Sequence, residues 1–197
     1  MGKLYDTIDG RLEEWIGDQH LFFVGTAPSG SDGHVNVSPK GGIESFRVVD
    51  PMTVAYLDFV GSGVETIAHL RDNGRIVVMF CAFDGSPRIV RLHGRGSVAL
   101  LGEPAFDELS SRLDFSGIDA AAEGTRSIVT VDVQRIADSC GYGVPLMRYE
   151  GPRSQQLAWI QSRLAKHGPD GVTKYVDEKN RTSIDALPGI QAGLARN

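Results

Sequence analysis

The residues best suited to chemistry stand in the run Tyr56-Leu57-Asp58-Phe59-Val60-Gly61-Ser62-Gly63-Val64-Glu65-Thr66, where an apolar strand passes through two glycines into a helix. Ser62 and Glu65 have the S-x-x-E spacing of a capping box, which predicts Ser62 as the N-cap residue. Gly61 and Gly63 admit a ligand close to the backbone, and the unpaired N–H groups of a helix start, aided by its dipole, favour an anion such as phosphate. The hydroxyls of Ser62 and Thr66 would add donors. The same spacing also serves simply to start a helix, so the motif needs partners before it means a site.

Two further segments offer them. Asn36-Val37-Ser38-Pro39-Lys40-Gly41 ends a strand with a lysine between proline and glycine, which gives its ammonium a defined origin. In Arg88-Ile89-Val90-Arg91-Leu92-His93-Gly94-Arg95, strand alternation puts Arg91, His93 and Arg95 on one face and Arg88 on the other. A doubly cationic strand face suits a dianionic phosphate. Either segment alone also reads as an ordinary solvated polar face.

The elements that must position these residues are mostly strands. Leu4, Ile8, Leu12 and Trp15-Ile16 recur at helical spacing up to Gly17, predicting an opening amphipathic helix. Strands are predicted at Leu21 to Thr26, His34 to Ser38, Phe46 to Val49, Thr53 to Phe59, Arg75 to Phe83, Arg88 to Leu101 and, as the closing strand, Ser127 to Val133. Glycines within the long Arg88 strand mark bulges where a wall must curve. Helices are expected at Val64 to Asp72, Ala105 to Phe115, Ser154 to about Lys166 and Val172 to Lys179. Many strands around one short internal helix point to a closed antiparallel sheet, since closure removes exposed edges without covering helices. The strand followed by G-x-G also looks like the opening of a dinucleotide-binding fingerprint. Thr66 stands where that pattern needs its third glycine, and the later strands do not alternate with helices.

Composition narrows the function classes. The chain of 197 residues has room for one domain with a sizeable core, and its formal net charge of -5 supplies no basic field for nucleic acid. No secretory pattern opens the sequence and no apolar run reaches membrane-spanning length, so a cytoplasmic protein without membrane attachment is expected. Cys81 and Cys140 read as free thiols, Cys140 in a Gly-Tyr-Gly turn that would also suit a redox thiol. The histidines at 20, 34, 69, 93 and 167 lack metal-ligand spacing and read as surface or packing residues, so no metal is expected. Gly61-Ser62-Gly63 is not the G-x-S-x-G elbow of a hydrolase. No catalytic side chain is identified.

In the order VNVSPKG, TVAYLDFVGSGVETIAHL, NGRIVVMFCAF and PRIVRLHGRG, residues 15 to 135 resemble the FMN-binding core of pyridoxamine 5'-phosphate oxidase-like proteins. The resemblance implies a mainly β (α+β) fold, an antiparallel split β-barrel with a few peripheral helices and a helical C-terminal tail. It divides the chain into an FMN-binding domain over 1–135 and an extension over 136–197 that packs on the barrel or on a dimer partner. It also implies a homodimer with FMN at the interface, its phosphate held by Ser38, Lys40, Ser62, Gly63, Thr66, Arg88 and Arg91. The oxidase proper carries an Arg-Lys pair where this chain has Glu65-Thr66, and a substrate-binding Arg-x-His in a tail that here has none. The implied activity is therefore FMN-dependent electron transfer between a small-molecule or nicotinamide donor (NADH or NADPH) and an acceptor, other than pyridoxamine phosphate oxidation. The alternative is a non-catalytic protein that stores or senses flavin, haem or a deazaflavin.

Overall fold

The computed structural model describes residues 2–115, 118, 124–168 and 170–191. Eight strands form one antiparallel sheet: β1 (Leu4–Tyr5), β2 (Leu21–Thr26), β3 (Asn36–Gly41), β4 (Phe46–Asp50), β5 (Thr53–Phe59), β6 (Arg75–Cys81), β7 (Ile89–Leu100) and β8 (Thr125–Ser139). Their order is β3-β2-β6-β7-β8-β5-β4, with β1 attached to β8. The sheet curls into the split-barrel form expected from the sequence. β3 and β4 are its edges, and β3 accommodates Pro39 because an edge strand has one side without ladder partners.

The hollow of the curl is filled by every second residue of these strands. Phe22, Phe46, Tyr56 and Phe80 are all buried and meet at ring-centroid distances of 5.1 to 5.8 Å. Helix α1 (Gly10–Gly17) closes one end with buried Leu12 and Ile16, its first turn capped by Asp9 through the Leu12 N–H at 2.8 Å. Helix α3 (Pro104–Arg112) covers Ala55, Leu57, Ala99 and Ile128 on the opposite face with Phe106. Helix α2 (Glu65–Asn73) and the tail helices α4 (Gln155–His167) and α5 (Asp170–Lys179) share two small apolar clusters around Val64, Ile67, Leu100 and Ile190, and around Val60, Ile160 and Val172. The tail is thereby seated at the start of α2. Among the described residues no helix is long and apolar enough to cross a membrane.

Three expectations shift. Leu4 and Tyr5, expected to open the first helix, lie in a strand opposite Ala137 and Ile136, and the helix starts only after Asp9. The closing strand extends past Val133 to Ser139, because a bulge between β7 and β8 at His93/Gly94 lets pairing resume with the polar residues beyond. Gly94 is required there: a Cβ would sit 2.1 Å from the Asp132 carbonyl oxygen. The helix foreseen over Ala105 to Phe115 ends at Arg112.

Candidate functional site

A pocket of about 420 Å³ opens between β3, the end of β5 and the start of α2. Its base is an ion cluster. Asp58, alternating inward on β5 and wholly buried, accepts from Lys40 Nζ at 2.6 Å and from Arg126 Nε at 2.8 Å. Burial by itself pushes the Asp58 carboxyl up; the Arg126 guanidinium and Lys40 ammonium outweigh it and hold the group well below the usual carboxylate range. Arg126 reaches this position through a bulge. Asp58 pairs with Ser127 and Phe59 with Thr125, so Arg126 is the extra residue of β8, turned inward where strict alternation would have turned it out.

The turn from β5 into α2 is fastened by the tail. Gln156 Nε2 donates to the Val60 carbonyl at 2.9 Å, Asn180 Nδ2 to that of Gly61 at 3.0 Å, and Arg126 Nη1 to that of Gly63 at 2.6 Å. Arg126 Nη1 also donates to Asn180 Oδ1 at 2.9 Å, joining tail and base. Because each peptide is planar and trans, carbonyls held in this way turn the N–H groups of Gly61, Ser62 and Val64 in the opposite direction. The predicted capping box does not form. The helix begins at Glu65, Val64 occupies the cap position without a side-chain bond, and the Glu65 carboxylate receives the Ile184 N–H at 3.4 Å instead. The tail competes for Glu65, and the Ser62 hydroxyl is released from capping.

Five of the seven residues expected to hold an anion therefore line one pocket: Ser38, Lys40, Ser62, Gly63 and Thr66. Within one chain, Arg88 and Arg91 do not. Arg88 lies over the Trp15 ring at 4.7 Å, donates to Tyr5 Oη at 2.7 Å and sits 3.6 Å from Asp138. Arg91 donates to Ser139 Oγ at 3.1 Å. Sequence reasoning missed Asp58, Arg126, Gln156 and Asn180. Only Asp58 carried a signal, as a lone charge inside an apolar strand; the others depend on the bulge and on tail packing.

The donor set fits a phosphate ester. Lys40 and Arg126 both answer the one buried carboxylate of Asp58, the Ser62 and Thr66 hydroxyls stand nearby, and a Cβ added at Gly61 would meet open space. Glu65 lines the same pocket, so two cations face two carboxylates and any anion must be held by short-range hydrogen bonds more than by net field.

The sequence model of the family described as "Pyridoxamine 5'-phosphate oxidase" matches residues 8–140. The "Pyridoxamine 5'-phosphate oxidase family protein ustO" of Aspergillus flavus is 37% identical over 204 residues, covering 98% of this chain and 80% of that protein. Among solved structures, an FMN-binding protein from Syntrophomonas wolfei is 18% identical with a TM-score of 0.45, covering 70% of this chain and 92% of its own. A FAD-binding protein from Mesorhizobium loti is 15% identical with a TM-score of 0.41, covering 67% and 94%.

Proposed function

We propose a flavin-dependent role for this chain, which belongs to the pyridoxamine 5'-phosphate oxidase family. The reading is that of an FMN-dependent oxidoreductase whose cofactor phosphate enters the Lys40–Thr66 pocket. The observation that carries it is the convergence, in a member of this family, of Lys40, Ser62, Thr66 and the Gly61–Gly63 turn on one pocket whose buried carboxylate is already matched by two cations. Lys40 and Thr66 would hold the phosphate, with Ser62 and the turn's N–H groups closing around it. Arg126 would act at one remove, keeping the turn in shape through the Gly63 carbonyl and Asn180. The bound isoalloxazine would supply hydride and single-electron transfer, and the protein's part is to position it and control access.

A homodimer belongs to the same reading. Arg88 and Arg91 lie away from the pocket of their own chain, so any contact they make with the phosphate has to come from a second copy. The dimer and its donors, NADH, NADPH or a small organic molecule, are tested by light scattering and by rapid mixing with each nicotinamide. The decisive experiment is the absorbance spectrum of freshly purified protein with the mass of the ligand released from it. A flavin spectrum and the mass of FMN are expected. A Soret band, a deazaflavin spectrum, or a ligand-free protein that fails to take up FMN would overturn the reading.

A further inference from the structure

Behind Thr66 a line of polar side chains runs from the pocket through the protein to the C-terminal tail. Asn36 Nδ2 donates to Thr66 Oγ1 and to Thr26 Oγ1, each at 3.1 Å, and Ser38 Oγ lies 3.1 Å from Asn36 Oδ1. Thr26 Oγ1 is 3.0 Å from His69 Nδ1. His69 is wholly buried, and its Nε2 has no hydrogen-bond partner among the described residues but faces Asp185 Oδ2 at 3.9 Å. Asp185 is fixed in turn by His34, accepting from its backbone N–H at 2.9 Å and lying 2.7 Å from its Nδ1.

A hydroxyl has one proton to give and two lone pairs, and a neutral imidazole has one N–H; if His69 Nδ1 and Asn36 both donated to Thr26, its own proton would have no acceptor among the described residues, so two polarities of this line remain. In one, Nε2 of His69 carries the proton, Thr26 donates to Nδ1, Asn36 donates to both threonines, and Ser38 donates to Asn36. Thr66 then keeps its proton for the pocket, and Ser38 offers only lone pairs. In the other, Nδ1 carries the proton, the Asn36 amide is reversed, Thr66 gives its proton to Asn36, and Ser38 is the one left to donate. The Asp185 carboxylate chooses between them: the first polarity points an N–H at a buried-side negative charge, the second a lone pair. Burial lowers the His69 pKa and keeps the ring neutral, against the pull of Asp185 on the tail and of Glu65 and Asp72 on its own helix.

We propose that Asp185, acting through His69, is a positioning residue that makes Thr66 a hydrogen-bond donor and Ser38 an acceptor in the pocket. This rests on the flavin reading only for the identity of the ligand. It moves Ser38 from the phosphate to a ligand hydroxyl, such as those of a polyol chain, because a side chain without a free proton cannot donate to a phosphoryl oxygen.

The first test needs no ligand. In the full chain labelled with ¹⁵N-histidine, NMR should show His69 protonated on Nε2 with Nδ1 bare, and Asp185→Asn should erode that preference. An Nδ1-protonated His69 in the wild type overturns the proposal, whatever the protein binds. The second test separates the polarity from the flavin reading. In Asp185→Asn, and in Thr26→Val, which cuts the line but keeps the Asp185–His34 contact, FMN should bind about tenfold more weakly. Riboflavin, which has no phosphate, should bind within about twofold of its wild-type affinity. Equal weakening for both ligands, or none for either, overturns the proposal. If the wild type takes up neither flavin, the flavin reading fails by itself, and the ¹⁵N result alone decides the polarity.

Discussion

The two ends of the curled sheet each hold an arginine against an aspartate, and they use it differently. At one end Arg88 faces Asp138, with Trp15 and Tyr5 against the guanidinium and the Tyr5 hydroxyl donating to the same carboxylate at 2.6 Å. One cation meets one anion, and both are filled. At the other end Asp58 is wholly buried beneath two cations, one of which, Lys40, keeps part of its surface in the pocket. The difference teaches that a buried carboxylate shared by two cations leaves donors turned toward a cavity, whereas a one-to-one pair has none to spare.

The comparison breaks most sharply at Asp58. Asp58→Asn leaves Arg126 and Lys40 without their counter-charge and should cost about 3–5 kcal/mol in urea unfolding, the usual result of removing one partner from a buried pair. A loss below about 1 kcal/mol would mean that water reaches the cluster and that its burial matters little.

The cations separate the two ends next. Lys40→Met should weaken FMN about tenfold or more, the effect of losing a hydrogen bond to a charged group, while Arg126 still answers Asp58 and keeps the fold. Arg88→Met should instead cost about 1–2 kcal/mol of stability through lost stacking and ion pairing, with FMN affinity within about threefold of wild type. A loss of FMN affinity as large as that of Lys40→Met would show that a second protomer carries Arg88 to the pocket.

The same contrast explains what the sequence made legible. Lys40, Ser62, Gly63 and Thr66, which all line the pocket, stand out in the sequence because each sits in a short run whose meaning is local: a proline and glycine around a lysine, two glycines before a helix. The Asp58–Arg126 bond joins residues 68 apart and depends on one extra residue in β8, which alternation alone would have turned outward. The strands are legible because their core faces alternate, whereas the helical spacing of Leu4 to Ile8 hides the pairing of Leu4 with a strand more than 130 residues away. The capping box failed for a related reason: the tail offers Glu65 a partner that no local pattern reveals.

Acid should reveal the line that ends at the tail before it reaches the ion cluster. His69 has a folded pKa below its ordinary 6.5, so the unfolded chain binds the proton more readily; its contribution is fully present above 6.5 and is lost as pH falls toward the lowered folded value. Asp58, also depressed, contributes fully above the ordinary 3.8 and loses that contribution only in stronger acid. Melting temperatures from pH 8 to pH 3 should therefore fall in two limbs, the upper one shared with His93, whose pKa burial also lowers, and His69→Gln should shrink that upper limb. A single limb below pH 4 in the wild type would place His69 outside the stability balance.

The smallest effect lies two residues along β5 from Asp58. Tyr56 is as deeply buried, but its hydroxyl has no hydrogen-bond partner among the described residues, and burial pushes its pKa well above the ordinary value. Its ring does the work, packing against Phe22 with centroids 5.4 Å apart. Tyr56→Phe keeps that ring and removes the unsatisfied oxygen, so it should raise stability by up to about 1 kcal/mol, the reverse in sign of Asp58→Asn on the same strand. A loss of similar size would mean that the hydroxyl is bonded to an internal water, and that this end of β5 satisfies its polar groups as fully at Tyr56 as at Asp58.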